Sequence, residues 1–205
     1  MTPYACMQDL LPAGACGLAR VEHFDLSPQQ AAIIATETRD WRVQPGRFTR
    51  LYVRDELVMS DTVMELESNW PAVCHANGRV LVAGLGLGLI LVPMLASPRV
   101  QQVTVIEREA DVIALVGPAF AEHSVSGRLT LLCADVFRWR PPRGARYDTI
   151  YFDIWPDIAV ANLPAIARLH RRYGRWLERT NPDAWMGSWQ HQRLLEERRI
   201  GTRRW

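Results

Sequence analysis

The chain has 205 residues with 48% hydrophobic content, enough for one α/β domain with a substantial core, and a formal net charge of only +2. All 24 basic residues are arginine, which excludes a Walker-loop lysine, a Schiff-base lysine and a lysine general base. The longest apolar run, 80–96, carries three glycines and a proline and falls short of the roughly 18 residues of a membrane span.

The N-terminal stretch has no positive region ahead of its apolar residues, so the expectation is a cytoplasmic protein without a signal peptide or a membrane partner. Ser27 can cap a helix that takes Pro28 as its first residue and Gln30 as the return partner of a capping box, which predicts a helix from about Pro28 to Arg39. "GRFTRLYVRDELVMSD" alternates apolar and polar residues on both sides of Asp55 and Glu56, a hairpin pattern. A second helix is expected from Thr62 to near His75, with His75 read as a turn residue rather than a base. Asp61 and Glu65, at helical i, i+4 spacing, could aim two carboxylates at one cleft and select an amine, or only cap and solvate the helix.

From Arg79 the pattern becomes short β-rich runs: "RVLVAG", "VQQVTVIE", "RLTLLCAD", "YDTIYFD" and "AWMGSW". Helical segments fall between most of them, at about 88–97, 109–122 and 162–178, while "RWRPPRGAR" reads as an exposed loop. Alternation of this kind implies right-handed crossovers and a doubly wound, mostly parallel sheet. Pro93 falls inside the first of these helices and predicts a kink or a short first segment. Cys6, Cys16, Cys74 and Cys133 have no metal-like spacing with the five histidines, so no metal is expected and the thiols are read as reduced and mostly packed, Cys133 in a strand. Trp176, Trp185 and Trp189 are assigned to core packing.

In such a sheet, ligands bind at the carboxyl ends of the strands. Those ends carry Gly84, Gly86 and Gly88 after the first strand, Glu107 after the second, Asp135 after the third and Asp153 after the fourth. Glu107 lies 23 residues beyond Gly84 (107 − 84), the offset at which a carboxylate can accept both ribose hydroxyls. The dinucleotide fingerprint wants a further glycine where Leu89 stands, so the loop keeps the tight turn of a nucleotide-binding unit without the pyrophosphate rule, and a nicotinamide dehydrogenase is disfavoured.

"VLVAGLGLG", "VTVIERE", "LTLLCADVF" and "YDTIYFDIWPD", in this order and spacing, resemble the class I S-adenosylmethionine-dependent methyltransferases. The hairpin and helix ahead of the glycine loop look like the spermidine synthase-like branch, and the likeness covers about residues 47–190. The resemblance implies an α/β, Rossmann-like doubly wound sheet with a small N-terminal helix plus β-hairpin segment, over 1–76 packed on a core of 77–205. It implies S-adenosyl-L-methionine as cofactor, with Gly84, Gly86 and Gly88 near its methionine part, Glu107 at the ribose and Asp135 at the adenine, and with Leu85, Arg108 and Val136 as further cofactor-binding candidates. Asp153 would be catalytic, binding a cationic amine or accepting its proton. Trp155 is a possible aromatic wall, and Asp157 joins Asp61 and Glu65 as a substrate-binding candidate. The alternative is that Asp153 caps a helix and Trp155 is packing.

Aminopropyl transferases of the branch carry two acids three apart after the fourth strand. Here "DIWPD" keeps only Asp153 in register. After "AWMGSW" the sequence suggests a helix and no reversed C-terminal hairpin, leaving a sheet edge for another segment, a partner chain or solvent. The expected activity is therefore methyl transfer to an unknown acceptor, with aminopropyl transfer as the alternative. A non-catalytic adenosyl-ligand or nucleic-acid-binding protein is a third reading. From Arg168 to Trp205, ten arginines face four acids, a stripe that could meet nucleic-acid phosphates or line a solvated helix face. A homodimer is also possible.

Overall fold

The structure, a computed structural model, describes residues 6–202. A short helix α1 (Met7–Leu10) leads into β1 (Gly14–Cys16), β2 (Ala19–Leu26), α2 (Pro28–Thr38), β3 (Gly46–Val53) and β4 (Glu56–Ser60). The four strands form one antiparallel sheet in the order β1-β2-β3-β4. The expected hairpin is thus only half of this sheet. β2 pairs with β3 along its whole length, from Ala19 opposite Val53 to Leu26 opposite Gly46, while β1 is too short to show a period in the sequence. At the hairpin tip Arg54 and Asp55 both take positive φ, 52° and 63°, as the twist of a two-residue turn requires. The capping box of α2 forms as expected: Ser27 Oγ accepts from Gln30 N at 3.2 Å and Gln30 Oε1 accepts from Ser27 N at 2.9 Å.

Helix α3 (Val63–His75) then leads to β5 (Gly78–Ala83), α4 (Leu91–Ala96), β6 (Val100–Glu107), α5 (Ala110–Val116), α6 (Ala121–Val125) and β7 (Leu129–Cys133). After these come β8 (Thr149–Phe152), α7 (Leu163–Tyr173), β9 (Trp185–Ser188) and α8 (His191–Thr202). The five strands are parallel, in the order β7-β6-β5-β8-β9, a Rossmann-like doubly wound sheet whose strand order reverses about β5. Among the described residues no strand follows β9.

Both faces of this sheet are covered, which is why its strands read as nearly continuous apolar runs. Val80 and Val82 pack on one side with α4 and α5, and Leu81 and Ala83 on the other with Leu169 and Tyr173 of α7. Of the two expectations for Pro93 the structure shows the short segment: α4 begins only at Leu91, and the proline lies in its first turn, where no backbone N–H is needed. The helix expected over 109–122 is broken by a 3₁₀ turn at Gly117–Phe120, where Pro118 cannot donate. Cys133 is the last residue of edge strand β7 and is exposed, as is Cys74, so the packed reading fails for both thiols. Among the described residues no helix is long and apolar enough to cross a membrane.

The antiparallel sheet is tied to α5. Leu18 N donates to Asp111 Oδ2 at 2.8 Å, and a Cβ on the adjacent Gly17 would overlap the Asp111 carboxylate. This tie sets β3 and β4 over the carboxyl ends of β5 and β6.

Candidate functional site

A cavity of about 270 Å³ opens at the carboxyl ends of the parallel strands, roofed by the β3–β4 hairpin. Its floor is the glycine loop. Gly84 and Gly86 take φ of 98° and 52°, open to glycine without strain. A Cβ on Gly84 would strike the backbone carbonyl of Asp153, and one on Gly86 would strike Met59. Gly88 does a different job: its missing Cβ makes room for the Phe120 ring, and it does not line the cavity. Leu85 is a core side chain whose backbone alone belongs to the loop.

Glu107 stands at the end of β6. Its Oε2 accepts from Leu85 N at 2.8 Å and its Oε1 from Glu109 N at 2.8 Å. A carboxylate has about four acceptor positions, so each oxygen keeps one for a ligand on the cavity side. At the rim, Arg54 of the hairpin reaches Glu109 through two nitrogens, at 3.1 and 3.2 Å, and Arg108 adds a contact of 3.0 Å. The Arg54 bonds hold the Glu109 carboxyl below its usual range. Asp135 and Val136 follow β7 and also line the cavity; Asp135 Oδ1 accepts from Phe137 N at 2.8 Å, shaping its own turn.

The inner wall is formed by Asp153, with Ile154 and Trp155 beside it. Asp153 as a whole residue is only half-buried, yet its carboxyl is deep enough for lost hydration to push its pKa up to about 7. Glu65, buried on α3, is pushed up to about 8, first by burial and then by the negative charge of Asp153. One turn further along α3, Asn69 is fully buried and accepts from Tyr151 Oη at 3.0 Å. It opposes the Asp153 shift, although its Nδ2 completes no hydrogen bond.

The structure therefore brings Gly84, Gly86, Glu107, Arg108, Asp135, Val136, Asp153 and Trp155 to one cavity; Glu65 does not line it, although the charge of Asp153 reaches this acid. The structure does not bring Asp61 there either. Asp61 Oδ1 accepts from Thr49 N at 2.6 Å and Oδ2 from Met7 N at 3.2 Å, so this buried acid fastens α1 and β3 together. The i, i+4 spacing failed as a guide because Asp61 precedes α3 and does not share its helical face. Asp157 is exposed and lies off the cavity, its Oδ1 accepting from Asn162 Nδ2 at 3.2 Å. The acid that feels the charge of Asp153 is Glu65, from before the glycine loop.

Sequence reasoning missed Arg54, Met59, Asn69 and Glu109. Asn69 was signalled by its i+4 relation to Glu65; nothing local signals Met59. His75 stacks on Trp185 at 4.5 Å and takes no part in the cavity. Among the described residues, no group of three or more His, Cys, Asp or Glu could hold a metal ion. Several arginines of the C-terminal stripe are engaged within the fold. Arg172 donates to Trp139 O at 2.9 Å, Arg175 lies 4.7 Å over the Trp176 ring, and Arg193 pairs with Glu197 at 2.9 Å. Arg203 and Arg204 lie outside the described residues.

No family model matches the chain, and no curated protein matches it. Solved structures do match. The SAH-bound methyltransferase PaMTH1 of Podospora anserina is 17% identical over 58% of this chain and 48% of that one, with a TM-score of 0.42. The CcbJ methyltransferase of Streptomyces caelestis is 15% identical over 60% of this chain and 46% of that one, with a TM-score of 0.44. The [4+2]-cyclase SpnF is 20% identical over 57% and 43%, with a TM-score of 0.43. The chain spans about half the length of these solved structures, or less.

Proposed function

We propose that this protein is an S-adenosylmethionine-dependent methyltransferase. The observation that carries the reading is the single cavity that joins the glycine loop, Glu107, Asp135 and Asp153 at the carboxyl ends of the strands. The residues fit a sulfonium nucleoside. Glu107 offers spare acceptor positions to two ribose hydroxyls, Asp135 can accept from an adenine amino group, and Gly84 and Gly86 line the same cavity. Leu89, where a third fingerprint glycine would stand, is no obstacle to a ligand without pyrophosphate.

When bound, S-adenosylmethionine supplies a methyl group activated by the positive sulfur. The chain's own part is to hold an acceptor in line and manage its proton. Asp153, with a pKa near 7, suits both tasks near neutral pH, because it exchanges a proton at little cost. Trp155 walls the acceptor side, and the apolar hairpin residues Val58 and Met59 help exclude water.

Aminopropyl transfer from the decarboxylated cofactor is the second reading. It is supported by a second buried acid, Glu65, that feels the charge of Asp153 and so lies within electrostatic reach of the cavity wall, although the second acid of the sequence motif is out of register.

Calorimetric titration with S-adenosylmethionine, its decarboxylated form, S-adenosylhomocysteine and NADH tests both readings. Micromolar binding of adenosyl sulfur ligands, lost in a folded Glu107→Ala variant, supports the nucleoside pocket. Preference for the decarboxylated form together with turnover of putrescine selects aminopropyl transfer. Binding of NADH alone, or of none of the four, overturns the proposal.

A further inference from the structure

The glycine loop uses two of its backbone donors in different ways. Leu85 N donates to the carboxylate of Glu107 at 2.8 Å, so the loop does offer amides to anions. Two residues on, Leu87 N donates to the Met59 sulfur, at 3.4 Å. A thioether is among the weakest acceptors a protein has, whereas hydrogen bonds to a carboxylate are about twice as strong as neutral ones.

Met59 owes its position to an irregularity in β4. Leu51 pairs with Met59 and Tyr52 with Leu57, which leaves Val58 as an extra residue. In a regular strand neighbouring side chains point to opposite faces. Here Val58 and Met59 both line the cavity, because the bulge turns the strand between them. Gly86 completes the arrangement: any Cβ there would occupy the place of the Met59 sulfur. The methionine side chain has three rotatable bonds and can swing away without moving the strand.

Building on the reading of this pocket in which the glycine loop takes the methionine part of the cofactor, we propose that Met59 is a displaceable placeholder on the Leu87 amide, which leaves when the ligand's amino-acid carboxylate takes its place. Met59 thereby favours ligands carrying a carboxylate strong enough to replace it. A nucleoside thioether without the amino-acid part leaves Met59 where it is.

The probes are S-adenosylhomocysteine, which carries the carboxylate, and 5′-methylthioadenosine, which does not. Methyl-¹³C methionine labelling of the full chain follows Met59, its resonance assigned by its loss in Met59→Leu. The Met59 resonance is expected to shift on saturation with S-adenosylhomocysteine and to stay put with 5′-methylthioadenosine. Met59→Leu keeps the bulk but removes the sulfur acceptor, and it is expected to strengthen S-adenosylhomocysteine binding by about fivefold with 5′-methylthioadenosine unchanged. Met59→Ala should give the same ordering of the two ligands. Equal Met59 shifts with both ligands, no shift with either bound ligand, or equal effects of the variants on both affinities overturns the placeholder role while leaving the nucleoside pocket intact. Failure of 5′-methylthioadenosine and S-adenosylhomocysteine alike to bind overturns the nucleoside reading, and this inference with it.

Discussion

At the rim of the cavity Glu109 is bridged by Arg54 and Arg108 and its carboxyl is held below the usual range; at the inner wall Asp153 and Glu65 are pushed up to about 7 and 8. Both regions use carboxylic acids set by the same fold, and they reach opposite states for identifiable reasons. Rim acids sit beside guanidinium groups that favour the charge, while both wall acids lose water and Glu65 also feels the negative charge of Asp153. The rim is thus suited to orienting a polar ligand, and the wall to exchanging protons near neutral pH.

The sharpest way to break this division is at Gly84, whose missing side chain lets the glycine loop lie against the Asp153 backbone and so joins the two ends. Gly84→Ala is expected to cost about 3 kcal/mol, read as a fall in Tm of roughly 6–12 °C for a chain of this size. Gly127, also at positive φ but with open space around it, provides the control, and Gly127→Ala should cost only about 1 kcal/mol.

Asp61 comes next, because it is a buried acid that belongs to neither end. Asp61→Ala strands the amides of Met7 and Thr49, for an expected loss of about 2 kcal/mol in urea unfolding. Adenosyl-ligand affinity measured on the folded variant should change less than twofold. A large selective loss of affinity would return Asp61 to the site.

The wall is tested through its pH dependence. Glu65 has a reference pKa of 4.5 and a folded value of about 8, so between these pH values the folded state binds more protons than the unfolded state. Stability from this group is therefore complete below about pH 4.5 and is lost as pH rises through about 8. Glu65→Gln should flatten that fall in a Tm series from pH 5 to 8.5, raising Tm at the alkaline end and changing it little at pH 5. An unchanged slope would mean that the wall is wetter than the geometry indicates.

The smallest effect belongs to the rim. Arg54 is more than half exposed, so Arg54→Ala should cost at most about 1 kcal/mol, less in high salt. The same variant in Glu65→Gln should add its effect independently, because the two ends share no partner. Coupling between them, seen in a double-mutant cycle of Tm, would show that rim and wall act as one network.

Much of this architecture was legible beforehand. The capping box at Ser27, the hairpin about Asp55, the apolar strands after Arg79 and the glycine loop all rest on local patterns of turn chemistry and hydrophobic period. Glu107, Asp135 and Asp153 could be singled out because strand ends in an alternating α/β chain have a known place. Asp61, Asp157 and Glu65 could not be told apart by the same means. All three are acids near predicted helix starts, and only the path of the chain sends Asp61 to backbone amides, Asp157 to solvent and Glu65 to Asp153.

What the sequence alone determined is the kind of fold and the strand ends at which chemistry gathers, because periodicity and punctuation act over a few residues. Tertiary structure alone decided the electrical state of each acid, the four-stranded extent of the N-terminal sheet and the approach of Met59 to Leu87. Each of these depends on groups far apart in the chain, 28 residues in the case of Met59 and Leu87, and burial and pairing exist only once those groups have met.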